Sequence, residues 1–540
     1  MSSSSSPFTD EQIAEWASFG PKLKGKPTPE QQLEAQERKK KCADMKERLA
    51  KEINDPVNWT EKKIEKELDR LVEEGLESTA VRPSYLDGPS GTRDFYPPEM
   101  RVQNWLFDNF RETAKSFGFQ EYDAPVLENV ELYKRKAGEE IVDQMYAFTD
   151  KEGYHVTLRP EMTPTLARLV LGKTNLQTGE VRLTLPLKWF SIPQCWRFET
   201  TQRGRKREHY QWNMDIVGVD HVHAEVELLA AACFFFQRIG IGPDVVGIKV
   251  NSRAVLEAVL AKHGIEKGKK DADGGDIFEQ VCVIIDKLDK IGGPAVTELL
   301  GEIGVGSDSA AEILKALEAP SVEELANQVG TNSEAVNQVK RLFELAEQYG
   351  FGDYLIFDAS VVRGLAYYTG VVWEAFDRRG ELRAIMGGGR YDRLLEKYGG
   401  EKCQIPCVGF GFGDCVIMEL LKECGKIPDF ASSGPDYVVC AFSPDLYGTA
   451  ANISWKLRQT GATVDLMPTP KKKVAASFKH ADQTGARRMV FVAPDEIEKG
   501  VVRIKDLRTK DKNGESIQVD CPLDALDTVD ELVAKAVESE

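Results

Sequence analysis

Two apolar runs, Tyr354–Val362 (YLIFDASVV) and Val371–Phe376 (VVWEAF), flank the bend Arg363-Gly364-Leu365-Ala366-Tyr367-Tyr368-Thr369-Gly370. Their β-branched and aromatic content predicts two buried strands, which puts one cation and two phenols at the mouth of a sheet. Packing alone does not request such a group between core strands, so that end of the sheet has to face something charged. A guanidinium is a planar fork of donors and suits a carboxylate and a phosphate held side by side. Taken alone, the stretch also fits a salt-bridged arginine between two core tyrosines. The segments around it decide between these readings.

Downstream, Met386–Asp392 (MGGGRYD) and Val408–Val416 (VGFGFGDCV) read as strand, glycine-rich turn and helix, and glycine lets backbone approach a ligand closely. Upstream, Thr157–Thr163 (TLRPEMT) places Glu161 and Thr163 two apart, expected on one face at the end of a strand, where both can accept from an ammonium group. Next come Cys195–Glu199 (CWRFE), the cationic loop Arg203–Arg207 (RGRKR) and His209–Asp215 (HYQWNMD), which read as strand, loop and returning strand. Gln211 and Asp215, four apart on the second of these strands, face the same side. The chain has no G-x4-GK[ST] loop, so arginines would have to offset the charge of any bound triphosphate.

Together these segments resemble the histidyl-tRNA synthetases of class IIa aminoacyl-tRNA synthetases, over residues 84 to 512. The resemblance implies an α+β catalytic domain with an antiparallel sheet and flanking helices, a helical insertion domain and a C-terminal α/β anticodon-binding domain. It implies that Glu161 and Thr163 hold the amino acid's amine, and that Gln211, Asp215, Tyr367 and Tyr368 form the histidine pocket. Arg197 would grip the α-phosphate of ATP, Glu199 the adenine amine and Arg205 the outer phosphates. Arg363 would bridge the histidine carboxylate and the α-phosphate, making Arg197 and Arg363 the catalytic pair. The implied substrates are L-histidine, ATP with Mg2+, and tRNA(His), with no resident metal site. One position departs from the pattern: Val416 stands where relatives carry the motif 3 arginine, and Arg390 or Arg393 is expected to supply the missing charge to ATP. The competing class is a catalytically silent paralogue that senses histidine or tRNA.

The 540 residues contain no run of 18 apolar residues, so no membrane span is expected. The start, MSSSSSPFTDE, lacks the apolar centre of a signal peptide and the arginines of a transit peptide. Ten singly scattered cysteines suggest a reducing compartment, hence a cytoplasmic protein, with an organellar form left open. A net charge of −17 argues against bulk electrostatic binding of nucleic acid and leaves room for local basic surfaces at Arg203–Arg207, Lys471–Lys473 and Arg487–Arg488. Residues 1–83 carry many charges and few apolar positions and read as a solvated helical extension. Residues 84–240 and 351–430 read as the catalytic domain and 435–540 as the anticodon-binding domain. The stretch 241–350 reads as a separate helical insertion domain, with five helical patterns broken by glycines at Ser252–His263, Phe278–Ile291, Ser307–Leu317, Val322–Val329 and Ser333–Tyr349. An amphipathic helix through Val102, Leu106, Phe110 and Phe117, then Gly118 and a strand Gln120–Leu127 interrupted by Pro125, resembles motif 1, which implies a homodimer.

Overall fold

The computed structural model describes residues 86–540, apart from 136–138, 267, 271–274, 286–287, 330–332, 362–366, 431–433, 472–473, 511–513 and 540. The extension 1–83 and the proposed phosphate bridge Arg363 lie outside the described residues. Asp94–Glu540 forms one compact unit, which holds all the strands and helices named below.

Twelve strands precede residue 414: β1 (Gln120–Glu121), β2 (Leu127–Asn129), β3 (Tyr146–Thr149), β4 (His155–Leu158), β5 (Leu187–Ser191), β6 (Gln194–Trp196), β7 (Glu208–Val217), β8 (Val246–Ser252), β9 (Leu355–Phe357), β10 (Val371–Asp377), β11 (Met386–Arg390) and β12 (Cys407–Gly413). Nine of them form one sheet in the order β1-β5-β7-β12-β11-β10-β8-β9, with β6 added to β7. All neighbours are antiparallel except the two outer pairs, β1 with β5 and β8 with β9. A small antiparallel sheet, β2-β4-β3, stands apart.

Side chains alternate across a strand, so each central strand has a core face and an opposite face. Trp212, Met214, Ile216, Phe410, Phe412, Trp373, Ala375, Ile248 and Val250 belong to one buried cluster, together with the helices Pro97–Ser116 and His223–Arg238. Phe110 of the first helix stacks on Trp212 with ring centroids 4.7 Å apart. The second helix is apolar nearly all round and buries eleven residues, as expected of an element enclosed on several sides. The alternate positions, Gln211, Asn213, Asp215, Gly409, Gly411, Glu374 and Lys249, are thereby turned to the other face.

Three local outcomes differ from the sequence reading. The strand expected over Gln120–Leu127 is two short strands, β1 and β2, with Pro125 in the gap because proline cannot donate to a ladder. Residues 241–350 are not helical throughout, since β8 is a full member of the central sheet. The helical segment's own core begins after β8, with Val255, Leu256, Val259 and Leu260, and includes Val281, Ile313, Leu325 and Val336. Its last helix, Glu334–Tyr349, gives Val336 and Val339 to that core and Leu342 and Ala346 to the core of the sheet. Lastly, the C-terminal unit, expected as α/β, is not parallel throughout, since its last three strands pair antiparallel. Its strands β13 (Tyr437–Ala441), β14 (Val464–Leu466), β15 (Arg488–Val492), β16 (Val501–Lys510) and β17 (Ser516–Pro522) run in the order β14-β13-β15-β16-β17, and the unit closes with the helix Val529–Ser539. Among the described residues no helix is long and apolar enough to cross a membrane.

Candidate active site

On the face of the sheet away from the helices lies a cavity of about 380 Å³. A single row of cross-strand partners, Asn213–Gly411–Gly387–Glu374–Lys249, runs beneath it across β7, β12, β11, β10 and β8, and all five line it. Two of the five are glycines, so the middle of the floor is bare backbone and the chemistry stands at its ends.

One wall comes from the turn after β4. Glu161 lies in that turn and Thr163 opens the helix Thr163–Leu171, so the pair leaves a strand-to-helix turn and not a strand. Tyr133 Oη donates to the Glu161 carbonyl at 3.3 Å, and Arg197 Nε donates to the Pro160 carbonyl at 2.9 Å, tying the turn to the neighbouring hairpin. Arg159 donates to the carbonyls of Ala124 (2.7 Å) and Gln194 (3.0 Å) and pairs with Asp123 at 3.3 Å, so this arginine braces the wall from behind.

The second wall is the hairpin itself. β6 and β7 pair through Gln194↔Tyr210, Cys195↔His209 and Trp196↔Glu208, which brings Arg197, Glu199 and Arg205 to the cavity. Glu199 accepts from Arg205 Nε through Oε2, while its Oε1 is buried with no hydrogen-bond partner among the described residues. A buried carboxylate oxygen left without a donor is costly, so the site is built for an incoming N–H group.

Asp215 lies deeper than the lining residues. An alanine Cβ at position 409 would fall 1.9 Å from Asp215 Oδ1, so only glycine leaves room for this carboxylate. Tyr391, which lines the cavity, donates its hydroxyl to Asp215 Oδ1 at 2.5 Å. Burial, followed by the Asp215 charge, pushes the Tyr391 phenol well above the usual tyrosine range.

Of the residues singled out in the sequence, Glu161, Thr163, Arg197, Glu199, Arg205, Gln211, Tyr367 and Tyr368 all line this cavity. Arg390 does not, and its expected contact with ATP fails on this geometry. It is 7% exposed, and its five N–H donors are taken up by Glu225 (2.6 and 2.7 Å), Asp392 (3.1 Å) and the carbonyls of Val219 (2.8 Å) and His221 (3.1 Å). Arg393 is the cap of the helix Leu394–Gly399 and is not among the lining residues either. The sequence reading misses Lys249, Glu374, Asn213, Gln144 and Tyr391. For Lys249 a signal is present, since VGIKVNS alternates apolar and polar as a half-buried strand does.

The description of the Histidyl-tRNA synthetase family matches residues 91–413, and that of the Anticodon binding domain matches residues 436–527. The chain is 49% identical over 431 residues to the chloroplastic/mitochondrial histidine–tRNA ligase of Arabidopsis thaliana, covering 80% of this chain and 84% of that one. It is 34% identical to the histidine–tRNA ligase of Thermoplasma volcanium, over 78% of this chain and 93% of that one.

The chain belongs to the histidyl-tRNA synthetase family.

This synthetase is thus an aminoacyl-tRNA ligase: it activates L-histidine with ATP to histidyl-adenylate and transfers the histidyl group to the 3′ end of tRNA(His). The fold agrees. The solved histidyl-tRNA synthetase of Nostoc sp. PCC 7120 superposes with a TM-score of 0.66 at 23% identity, over 84% of this chain and 99% of that one. A Bacillus halodurans C structure described as an ATP phosphoribosyltransferase regulatory subunit/histidyl-tRNA synthetase gives 0.60 at 21% identity, over 76% of this chain and 99% of that one. In this synthetase Arg488 is committed internally, buried against Asp506, Asp530 and Tyr437, while its neighbour Arg487 stays part-exposed and pairs with Asp530 at 3.2 Å.

Proposed function

We propose that the cavity binds histidine and ATP together, with the roles divided as the family pattern divides them. Glu161 and Thr163 receive the α-ammonium group, and Gln211, Asp215, Tyr367 and Tyr368 surround the imidazole. Glu199 accepts from the adenine amine through its free Oε1, and Arg197 and Arg205 meet the phosphates. Arg363 acts at the reacting carboxylate and α-phosphate; Val361 and Tyr367, on either side of its segment, both line the cavity. The single observation carrying this reading is the convergence of eight expected residues on one cavity from three separate parts of the chain, the turn after β4, the β6–β7 hairpin and Tyr367–Tyr368.

The chemistry needs no side-chain nucleophile. The histidine carboxylate attacks the α-phosphorus in line and pyrophosphate leaves; the terminal ribose hydroxyl of tRNA then attacks the carbonyl of the adenylate, takes the histidyl group and releases AMP. Magnesium enters as part of the ATP substrate. The protein's contribution is positioning together with the positive charge of Arg197 and Arg363 at the reacting phosphate. Selectivity follows from the buried Asp215 carboxylate, which Tyr391 holds in place and whose charge favours an imidazole N–H that other amino acids do not bring.

Residues 84–240 and 351–430 are the proposed catalytic domain and 435–540 the anticodon-binding domain, with the start of the helical insertion moved past β8. A homodimer through the motif 1 region is supported by apolar side chains left exposed on or beside the small sheet: Leu127 at 42%, Phe148 at 49% and Tyr154 at 61%. A reducing compartment, with the cytoplasm as first choice, is supported by nine described cysteines that are all free. The test of the central reading is histidine-dependent exchange of labelled pyrophosphate into ATP by the purified protein. Exchange that does not depend on histidine, or none from a folded, magnesium-supplied sample that binds histidine, would overturn it.

A further inference from the structure

Val416, at the position where the resemblance to motif 3 implied an arginine, lies in the helix Asp414–Glu423 that follows β12. Val416 is 8% exposed and faces the cationic loop between β6 and β7: a Cβ built on Gly204 would come within 3.2 Å of Val416 Cγ2. Gly204 sits at φ +69°, a left-handed conformation that side chains rarely adopt. It occupies a tight turn closed by two backbone bonds, Gln202 N to the Arg205 carbonyl (3.1 Å) and Arg205 N to the Gln202 carbonyl (3.0 Å). One residue earlier, Arg203 reaches the same helix. Its Nε pairs with Glu419 at 3.2 Å and its Nη2 with Glu423. Glu423 is in turn held by Arg379, whose Nε lies 3.1 Å from the fully buried Asp377 at the end of β10.

We infer that Val416, Glu419 and Glu423 form a seat for the loop, and that this seat positions Arg205 at the outer phosphates of ATP. The absent arginine is replaced by a docking surface and not by another cation. The reasoning is geometric. An unbranched cation at position 416 would have to pass through the space that the Gly204 turn occupies, whereas a valine presents a short apolar face on which bare glycine backbone can rest. With Gly204 on that face and Arg203 gripped by two carboxylates, the closed turn leaves Arg205 pointing into the cavity, where it pairs with Glu199 until phosphate competes for it. Val416, Glu419 and Glu423 are positioning residues, since they act through Arg205. The inference rests on the assignment of Arg205 to ATP, and the test separates the two.

The test combines pyrophosphate exchange with limited trypsin digestion, because Arg203, Arg205, Lys206 and Arg207 offer cleavage sites only when the loop leaves its seat. For Glu419→Gln/Glu423→Gln, a change at two part-exposed carboxylates, the Michaelis constant for ATP should rise about 3- to 10-fold, the scale of losing both ion pairs of Arg203. The constant for histidine should stay within about twofold, and cleavage in the loop should accelerate. Val416→Arg, which introduces the cation that the motif 3 resemblance implied, should do the same more strongly, by about 10-fold or more, because it overfills the contact. Unchanged loop cleavage in the double variant, or tighter ATP binding by Val416→Arg, would overturn the seat. Faster cleavage with an unaltered ATP constant would instead overturn the assignment of Arg205, and the inference would fall with it.

Discussion

Tyr391 Oη donates to Asp215 Oδ1 across 2.5 Å, and the two residues come from segments 176 positions apart. The carboxylate is therefore fixed before histidine arrives, and the phenol that fixes it also forms part of the cavity wall. Asp215→Asn removes the charge that this pair is proposed to present to an imidazole N–H. A hydrogen bond to a charged group is worth about 1.5–3 kcal/mol, so the Michaelis constant for histidine should rise by about 10-fold or more while that for ATP holds. Tyr391→Phe strips a donor from a buried carboxylate, at a cost of about 1–3 kcal/mol. Tyr368→Phe should cost only about 1 kcal/mol. Pyrophosphate exchange with each substrate varied in turn checks all three, and a loss of ATP affinity with normal histidine affinity would mean the pocket is misassigned.

The same pair makes a prediction about pH. The Tyr391 phenol is raised by burial and by the Asp215 charge, so in the folded protein it keeps its proton beyond the ordinary tyrosine pKa of about 10. A group whose folded pKa is raised contributes stability that is complete below the unfolded pKa and is lost as pH rises through the folded one. This contribution is therefore constant between about pH 6 and 9 and falls only above about 10. Denaturant midpoints measured against pH should show a steeper alkaline fall in the wild type than in Tyr391→Phe. Parallel curves through that range would remove the assigned role of the proton.

Arg363→Ala should slow adenylate formation by about 10²- to 10³-fold, the expected loss when a preorganised charge is removed from a reacting phosphate. Arg363→Lys should recover only part of the rate, since a point charge replaces a fork that can hold a carboxylate and a phosphate at once. Single-turnover formation of the adenylate gives the rate directly. A folded Arg363→Ala protein that activates histidine at the wild-type rate would exclude the bridging role.

Sequence reasoning carries where a signal is local and stops where it is not. The alternation in Gln211–Asp215 and the glycines of β11 and β12 announce a polar face over bare backbone, because a period of two and a missing Cβ are local properties of the chain. Arg390 is misread for the opposite reason. Nothing within the glycine-rich run reveals that Glu225, 165 residues earlier, meets the guanidinium. β8 is absorbed into a helical stretch because one strand of VGIKVNS is short beside the five helical patterns that follow it. The partner of Val416 is invisible too, since a glycine at a loop tip looks the same in sequence whether or not a helix lies beneath it.

A final relationship concerns separability. The unit from β13 to the final helix has its own apolar core, built from Val439, Ile453, Val490, Val502 and Ile504 among others, and its five strands hydrogen-bond only to one another. Gly434 already belongs to it, since a Cβ there would fall 1.9 Å from the Thr484 carbonyl oxygen. Every described residue lining the cavity proposed for histidine and ATP precedes that boundary. Truncation after Gly434 should therefore leave histidine-dependent pyrophosphate exchange largely intact while sharply lowering the charging of tRNA(His), because the removed unit supplies RNA contacts and no chemistry. Charging by the full chain should also weaken more steeply with added salt than exchange does, as only charging includes contacts to a phosphate backbone. The two activities are to be compared in one preparation whose helical content and size match a folded catalytic unit. Equal loss of both would show that the C-terminal unit takes part in activation and would remove this division of labour.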